Sequence, residues 1–206
     1  MNPPDYSHSF NAFVYDAIPP KSVCLDVGCW NGNLGKALTE QKKCIVDGVD
    51  SQPDMLQLAK KNGYRRTFLV NFNNDTYDVK RLEKYDVIVC ADVLEHLLDP
   101  VAVLKELKKH LRKNGRIIIS LPNISFFLYR LQLLLGKWEY REFGTLDKTH
   151  IKFYTIVSGK QMVASSGLSL VSVKPYNQFG MLRYIRPLDD MFPSLLAYQF
   201  LIVAEA

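Results

Sequence analysis

Residues 25–35 read LDVGCWNGNLG, the end of an apolar run passing into a glycine-rich loop. Glycine recurs in such loops where φ must be positive or where a ligand must approach the backbone closely. Trp30, standing between Gly28 and Gly32, is expected to offer neither property. Either the loop has lost its ligand, or its ligand sits where an indole is tolerated.

Outward from this loop the chain alternates. SVCLDV (22–27), CIVDGV (44–49), TFLV (67–70), YDVIVCA (85–91) and RIIIS (116–120) are short apolar runs. Amphipathic stretches separate them: NLGKALTEQ (33–41), MLQLAKKNG (55–63) and DPVAVLKELKKHLRKNG (99–115), where Val103, Leu104, Leu107 and Leu111 keep helical spacing. Strands this continuously apolar, with helices between them, predict an α/β fold with a parallel sheet covered on both faces. The end breaks the rhythm. After a helical IVSGKQMVASSG (156–167), two strands, LSLVSVKP (168–175) and YQFLIVAEA (198–206), have no clear crossover helix between them and are predicted to be antiparallel neighbours. SHSFNAFVYDAI (7–18) is predicted to be an N-terminal helix stopped by Pro19 and Pro20.

The chain's 206 residues suit a single domain, 1–206, with residues 1–20 as the N-terminal helix and 122–155 as an insertion over the site. A net charge of +5 without a dense basic block gives no reason to expect nucleic acid as a partner. Cys24, Cys29, Cys44 and Cys90 form no C-x-x-C pair and read as reduced thiols of a cytoplasmic protein, with no zinc site. No signal peptide and no membrane-spanning run are expected.

Ligands of open parallel sheets bind outside the carboxyl ends of the strands. Asp26 and Gly28 end the first strand. Asp50 ends the second, placed to accept hydrogen bonds from both ribose hydroxyls. Asn71 and Phe72, after the third, offer an amide and a ring to a purine, and Ala91 and Asp92 follow the fourth. Together they predict a nucleoside pocket. A dinucleotide's pyrophosphate needs the close-approach glycine that Trp30 replaces, whereas S-adenosylmethionine carries no phosphate. Trp30 therefore favours S-adenosylmethionine.

LDVGCWNGNLG, VDGVDSQPDML, YDVIVCADVLEHLLDP and LKKNGRIIISLPN resemble, in order over about residues 21–125, the motifs of class I S-adenosylmethionine-dependent methyltransferases. The resemblance implies a Rossmann-like, seven-stranded, mostly parallel sheet whose last strand is antiparallel. It implies that Asp26, Gly28, Cys29, Trp30 and Gly32 frame the methionine portion, with a side chain at Gly28 filling its space. By the same resemblance Asp50 takes the ribose with Ser51 beside it, Asn71 and Phe72 meet the adenine, and Cys90 and Ala91 close the pocket under the sulfonium. S-adenosylhomocysteine would be the product. Asn71 departs from the aspartate that family members often carry there.

In the second half, SLPN, RLQLLLG, DKTH and the closing LLAYQFLIVA resemble bacterial methyltransferases found with polysaccharide glycosyltransferases. That resemblance implies a small or lipid-linked acceptor bearing a sugar hydroxyl. The PN…RLQLLL stretch is also similar to methionine-biosynthesis W-type proteins, which keeps a non-catalytic, regulatory partner open. ISFFLYRLQLLL (124–135) is apolar nearly all round. It reads either as a helix buried between insertion and core or as an element meeting a membrane through 124–141, with Arg130, Lys137, Trp138 and Arg141 at headgroup level.

In ADVLEHL (91–97), Asp92, Glu95 and His96 stand at i, i+3 and i+4, which places all three on one helical face beside the sulfonium pocket. Asp92 and Glu95 then form a capping box, or His96 takes a proton, or the three hold a divalent ion. The last reading rests on a similar acid-x-x-Glu-His cluster in ubiquinone-pathway and small-RNA methyltransferases. His150 would face His96 from the opposite wall of the acceptor site. The residues put forward as catalytic are His96, His150 and Glu95.

Overall fold

The computed structural model describes residues 10–74, 78–177 and 191–206. In chain order these form α1 (Ala12–Ala17), β1 (Val23–Val27), α2 (Asn33–Lys42), β2 (Ile45–Asp50), α3 (Pro53–Lys61), β3 (Arg66–Leu69) and β4 (Tyr85–Ala91). Then come α4 (Pro100–Lys108), β5 (Leu111–Pro122), α5 (Phe127–Leu134), α6 (Ile156–Ser165), β6 (Ser169–Tyr176) and β7 (Gln199–Glu205). The sheet runs β3-β2-β1-β4-β5-β7-β6. β7 is antiparallel to both β5 and β6, and all other pairs are parallel, which is the predicted architecture. Of the predicted N-terminal helix, residues 7–9 lie outside the described residues. Asn11 caps the remainder, its Oδ1 accepting from the N–H groups of Phe13 and Val14.

Strand residues alternate between two apolar layers. Val87, Val89 and Ile118 pack with Leu34 and Leu38 of α2 and Leu56 of α3. Ile88, Cys90, Ile117 and Ile119 pack with Val103, Leu104 and Leu107 of α4 and Val163 of α6. One predicted boundary is corrected: α4 ends at Lys108, and Leu111 begins β5 opposite Tyr85. Leu111 is buried in the same layer as Leu107, so burial preserved the helical period beyond the helix itself. The pairing shifts between Tyr85 and Val87, and Asn114 takes a left-handed φ of 63°, before β5 runs on beside β4.

Glycines decide how close α2 and α3 come to the sheet. A Cβ on Gly35 would lie 2.2 Å from the Tyr64 ring, and one on Gly48 would lie 2.8 Å from it. Tyr64 fills that shared space and donates its hydroxyl to Asp26 Oδ2 at 2.6 Å. The Gly35 N–H in turn donates to the Tyr64 oxygen at 3.1 Å. Alanine at position 35 gains about 1 kcal/mol of helix propensity. It also displaces a ring, which typically costs about 1–3 kcal/mol, and weakens a hydrogen bond to a carboxylate worth roughly 1.5–3 kcal/mol. Gly35→Ala should therefore lose about 2 kcal/mol in urea unfolding. Unchanged or increased stability would show that Tyr64 moves aside freely.

Candidate active site

The quoted loop keeps glycine's backbone conformation without the glycine. Gly28, Trp30 and Gly32 have φ of 70°, 43° and 80°. Trp30 thus adopts the positive φ that its side chain was expected to forbid, at a cost of about 1–2 kcal/mol. Its N–H donates to Asp50 Oδ2 at 2.8 Å, which ties loop to strand end, while its indole lies half in solvent. Asp50 Oδ1 accepts from the Gln52 N–H at 2.9 Å, and each oxygen keeps lone-pair capacity for a further donor. The expectation for Gly28 changes in its cause. An added Cβ would stand 2.4 Å from Val93 Cγ2, so position 28 is closed by the protein itself.

The other pocket candidates divide between surface and core. Cys29 is buried, with its sulfur against the space beside Gly48, so the loop presents its backbone there. Cys90 is fully buried and Ala91 partly so. Ser51 and Asn71 are exposed, and Asn71 Oδ1 accepts from the Asn73 N–H at 2.9 Å. Phe72 packs into the core layer with Val70 and Val79, so of that pair Asn71 is the one at the surface. Burial raises the Asp26 carboxyl from 3.8 to about 7, against the lowering effect of the Tyr64 hydrogen bond.

The ADVLEHL segment is not α-helical, and this removes the capping box. Only Leu94–His96 form a single 3-10 turn, which no side chain caps. Asp92 has a φ of 52°; its N–H donates to Ser120 Oγ at 3.0 Å and its Oδ1 accepts from Gln199 Nε2 at 3.0 Å. Asp92 is therefore tied to β5 and β7, while Glu95 and His96 gather with His150. Their ligand-type atoms lie within 4.8 Å of one another, without Asp92. The two imidazoles are neighbours, edge to face with centroids 4.7 Å apart, and do not stand on opposite walls.

His150 Nδ1 lies 3.0 Å from the Thr145 carbonyl, and His96 Nδ1 lies 3.2 Å from that of Thr149. A carbonyl only accepts, so His150 Nδ1 carries the proton and its Nε2 faces Glu95 Oε1 at 3.9 Å, while His96 Nδ1 also lies 3.2 Å from the Thr149 hydroxyl. Burial holds His150 below the usual histidine range, which keeps it neutral. Glu95 is fully buried, and neither carboxyl oxygen has a hydrogen-bond partner. Burial, then the charge of Asp92, pushes its pKa well up. The His150 side reaches this turn because Ile151 and Lys152 both donate N–H groups to the Glu95 carbonyl at 3.0 Å.

The insertion is anchored at its start by Asn123. Its Nδ2 donates to Ala197 O at 2.7 Å, and its Oδ1 accepts from the Ser125 N–H at 3.1 Å. The expectation of a buried 124–135 helix is corrected. In α5 only Tyr129 is buried, and Leu128, Leu131, Leu133 and Leu134 face outward. Sequence reasoning missed Tyr64, which lies outside any quoted motif, and gave no role to Thr149 and Gln199, although they lie within DKTH and LLAYQFLIVA.

Residues 5–173 match the methyltransferase domain family. A ubiquinone biosynthesis O-methyltransferase of Haemophilus ducreyi is 32% identical over 117 residues, covering 53% of this chain and 49% of that protein. The chain thus matches about half the length of that relative. The CcbJ methyltransferase of Streptomyces caelestis superposes with a TM-score of 0.67 at 16% identity, covering 100% of this chain and 97% of that one. An S-adenosylmethionine-dependent methyltransferase of Mesorhizobium loti gives 0.66 at 16% identity, covering 95% and 96%. With the matched residues spanning most of its length and the same fold around them, the chain belongs to the methyltransferase domain family, on the fold of the S-adenosylmethionine-dependent enzymes.

Proposed function

We propose that the chain moves a methyl group from S-adenosylmethionine to a hydroxyl oxygen of a small or lipid-linked acceptor, with Glu95, His96 and His150 activating that hydroxyl. The observation that carries this reading is the Glu95 carboxyl, buried with neither oxygen hydrogen-bonded, with His150 Nε2 3.9 Å from Oε1 and His96 in the same cluster. A buried polar group left without a partner costs free energy, so such a carboxyl is kept where something else completes it.

S-adenosylmethionine, when bound, supplies an electrophilic methyl on a sulfonium. The residues suited to hold it are Asp50 for the ribose, the Gly28–Gly32 backbone and Asp26 for the methionine portion, and Asn71 for the adenine. Asp50 with its spare lone pairs and Asp26 in partly ionised form fit a polar, cationic nucleoside. An acceptor hydroxyl is a poor nucleophile until its proton is taken, and the His150 imidazole, held neutral by burial, suits that task near neutral pH, with His96 beside it. The relative named as an O-methyltransferase supports oxygen as the acceptor atom. The resemblance to polysaccharide-associated enzymes supports a sugar hydroxyl, and the outward leucines of α5 suit an acceptor with an apolar tail.

The same carboxyl favours a second reading of the cluster, a divalent cation held by Glu95, His96 and His150. Such an ion would lower the pKa of a hydroxyl beside it.

Turnover measured with lipid-linked sugars and quinone-type hydroxyls tests the proposal. His96→Ala and His150→Ala should keep S-adenosylhomocysteine binding, while at least one loses about 10²–10⁴-fold in rate. Mn²⁺ titration by calorimetry separates the two forms of the proposal: saturable binding lost in Glu95→Gln supports the ion, and no binding supports the imidazole base. Full turnover in both histidine variants would reduce the cluster to packing. No turnover with any acceptor, together with stoichiometric capture of another polypeptide, would replace the enzyme with a regulatory partner.

A second prediction concerns pH. Because the Asp26 carboxyl is raised, its stabilising contribution is complete below the ordinary carboxyl range and is lost as pH rises to about 7. Cofactor binding moves the opposite way, since only ionised Asp26 attracts a cation. S-adenosylmethionine affinity should rise about tenfold between roughly pH 6 and 8, and Asp26→Asn should flatten that rise. An unchanged slope in the variant would remove Asp26 from cofactor binding.

A further inference from the structure

The outward face of α5 and the loop after it has no cover among the described residues. Leu128, Leu131 and Leu135 stand at i, i+3 and i+7 with Leu134 beside them, and they are 45%, 50%, 64% and 82% exposed. The opposite face is pinned by Tyr129, which clusters with Phe126 and Leu146. The orientation is therefore fixed by the fold. The loop continues the apolar surface with Trp138, Tyr140 and Phe143, all exposed.

Charge selects the occupant. Residues 124–152 hold five basic side chains, Arg130, Lys137, Arg141, Lys148 and Lys152, against three acidic ones. Glu142 pairs with Lys148, while Arg130, Lys137, Arg141 and Lys152 form no ion pair among the described residues. Two such basic rims would repel each other in a symmetric dimer. An apolar stripe rimmed by cations and aromatic rings matches an anionic lipid surface, where leucines enter the acyl boundary and Lys and Arg stay at headgroup level. At eight residues α5 is about 12 Å long, against a hydrocarbon core of about 30 Å, so it lies along the interface. Among the described residues no helix is long and apolar enough to cross a membrane.

We infer that α5 and the loop through Phe143 seat this chain on an anionic lipid bilayer. The seated segment leads directly into His150 and the strap that bonds to the Glu95 carbonyl, so the surface and the candidate site share one insertion.

Co-sedimentation with phosphatidylcholine vesicles, with and without phosphatidylglycerol, tests this. The chain should bind the phosphatidylglycerol vesicles and release as salt is raised. Leu131→Asp/Leu135→Asp should weaken that binding at least about tenfold. Lys137→Gln/Arg141→Gln should weaken it by about fivefold per charge and leave binding to neutral vesicles unchanged. S-adenosylhomocysteine affinity should stay the same in all variants, which keeps a failure here distinct from a failure of the methyl-transfer reading. Equal vesicle binding by Leu131→Asp/Leu135→Asp and the parent would overturn the inference, as would no binding to anionic vesicles. A dimer in sedimentation velocity that Leu131→Asp dissolves would instead assign the face to a second copy.

Discussion

The short hydrogen bond from the Tyr64 hydroxyl to the Asp26 carboxylate, 2.6 Å long and buried, constrains the rest of the nucleoside side of this molecule. A carboxylate at the end of a central strand must be satisfied from within, because water does not reach it. The donor comes from the turn after α3, and it arrives only because Gly32, Gly35 and Gly48 leave its ring room. One aromatic ring thereby sets the spacing of α2, α3 and the sheet. Burial holds Asp26 part-way to neutrality while the Tyr64 contact favours its ionised form, which suits a site expected to meet a cationic ligand.

A second set of constraints belongs to the end of β4. Asp92 sits in a left-handed conformation that an aspartate tolerates better than most residues, held by Ser120 of β5 and Gln199 of β7. That conformation turns the chain sharply enough that Glu95 points inward and His96 meets the insertion. In a regular helix Asp92, Glu95 and His96 would have shared a face. The observed turn exchanges Asp92 for His150, so the cluster is assembled from two segments more than fifty residues apart.

This contrast shows what was legible in the sequence. The strands were legible because apolar runs of YDVIVCA type admit little else once helices separate them, and the antiparallel ending followed from a missing crossover. Of Asp50 only its place at the end of β2 was legible, and the hydrogen bonds it accepts from Trp30 and Gln52 were not. Trp30 was misread because φ is not written in a side chain: the backbone conformation survived the loss of glycine, with the Asp50 carboxylate bonding to its N–H. The 3-10 turn was hidden because i, i+3, i+4 spacing is equally consistent with a helix that never forms. Tyr64 and Gln199 were hidden for a different reason, since their roles depend on contacts across the sheet that no local pattern records. Leu111 misled in the opposite way, its burial counterfeiting a further helical turn.

The insertion poses the remaining physical problem. Burying a leucine side chain is worth about 1.5–3 kcal/mol, and α5 leaves Leu128, Leu131, Leu133 and Leu134 exposed. Its inner face is not loosely made, since Phe126, Tyr129 and Leu146 pack together and Asn123 satisfies both ends of its amide. A segment so firmly held on one side and so apolar on the other is not an element that failed to pack. The same stretch of chain that turns that face outward returns as the strap whose Ile151 and Lys152 N–H groups bond to the Glu95 carbonyl, next to His150.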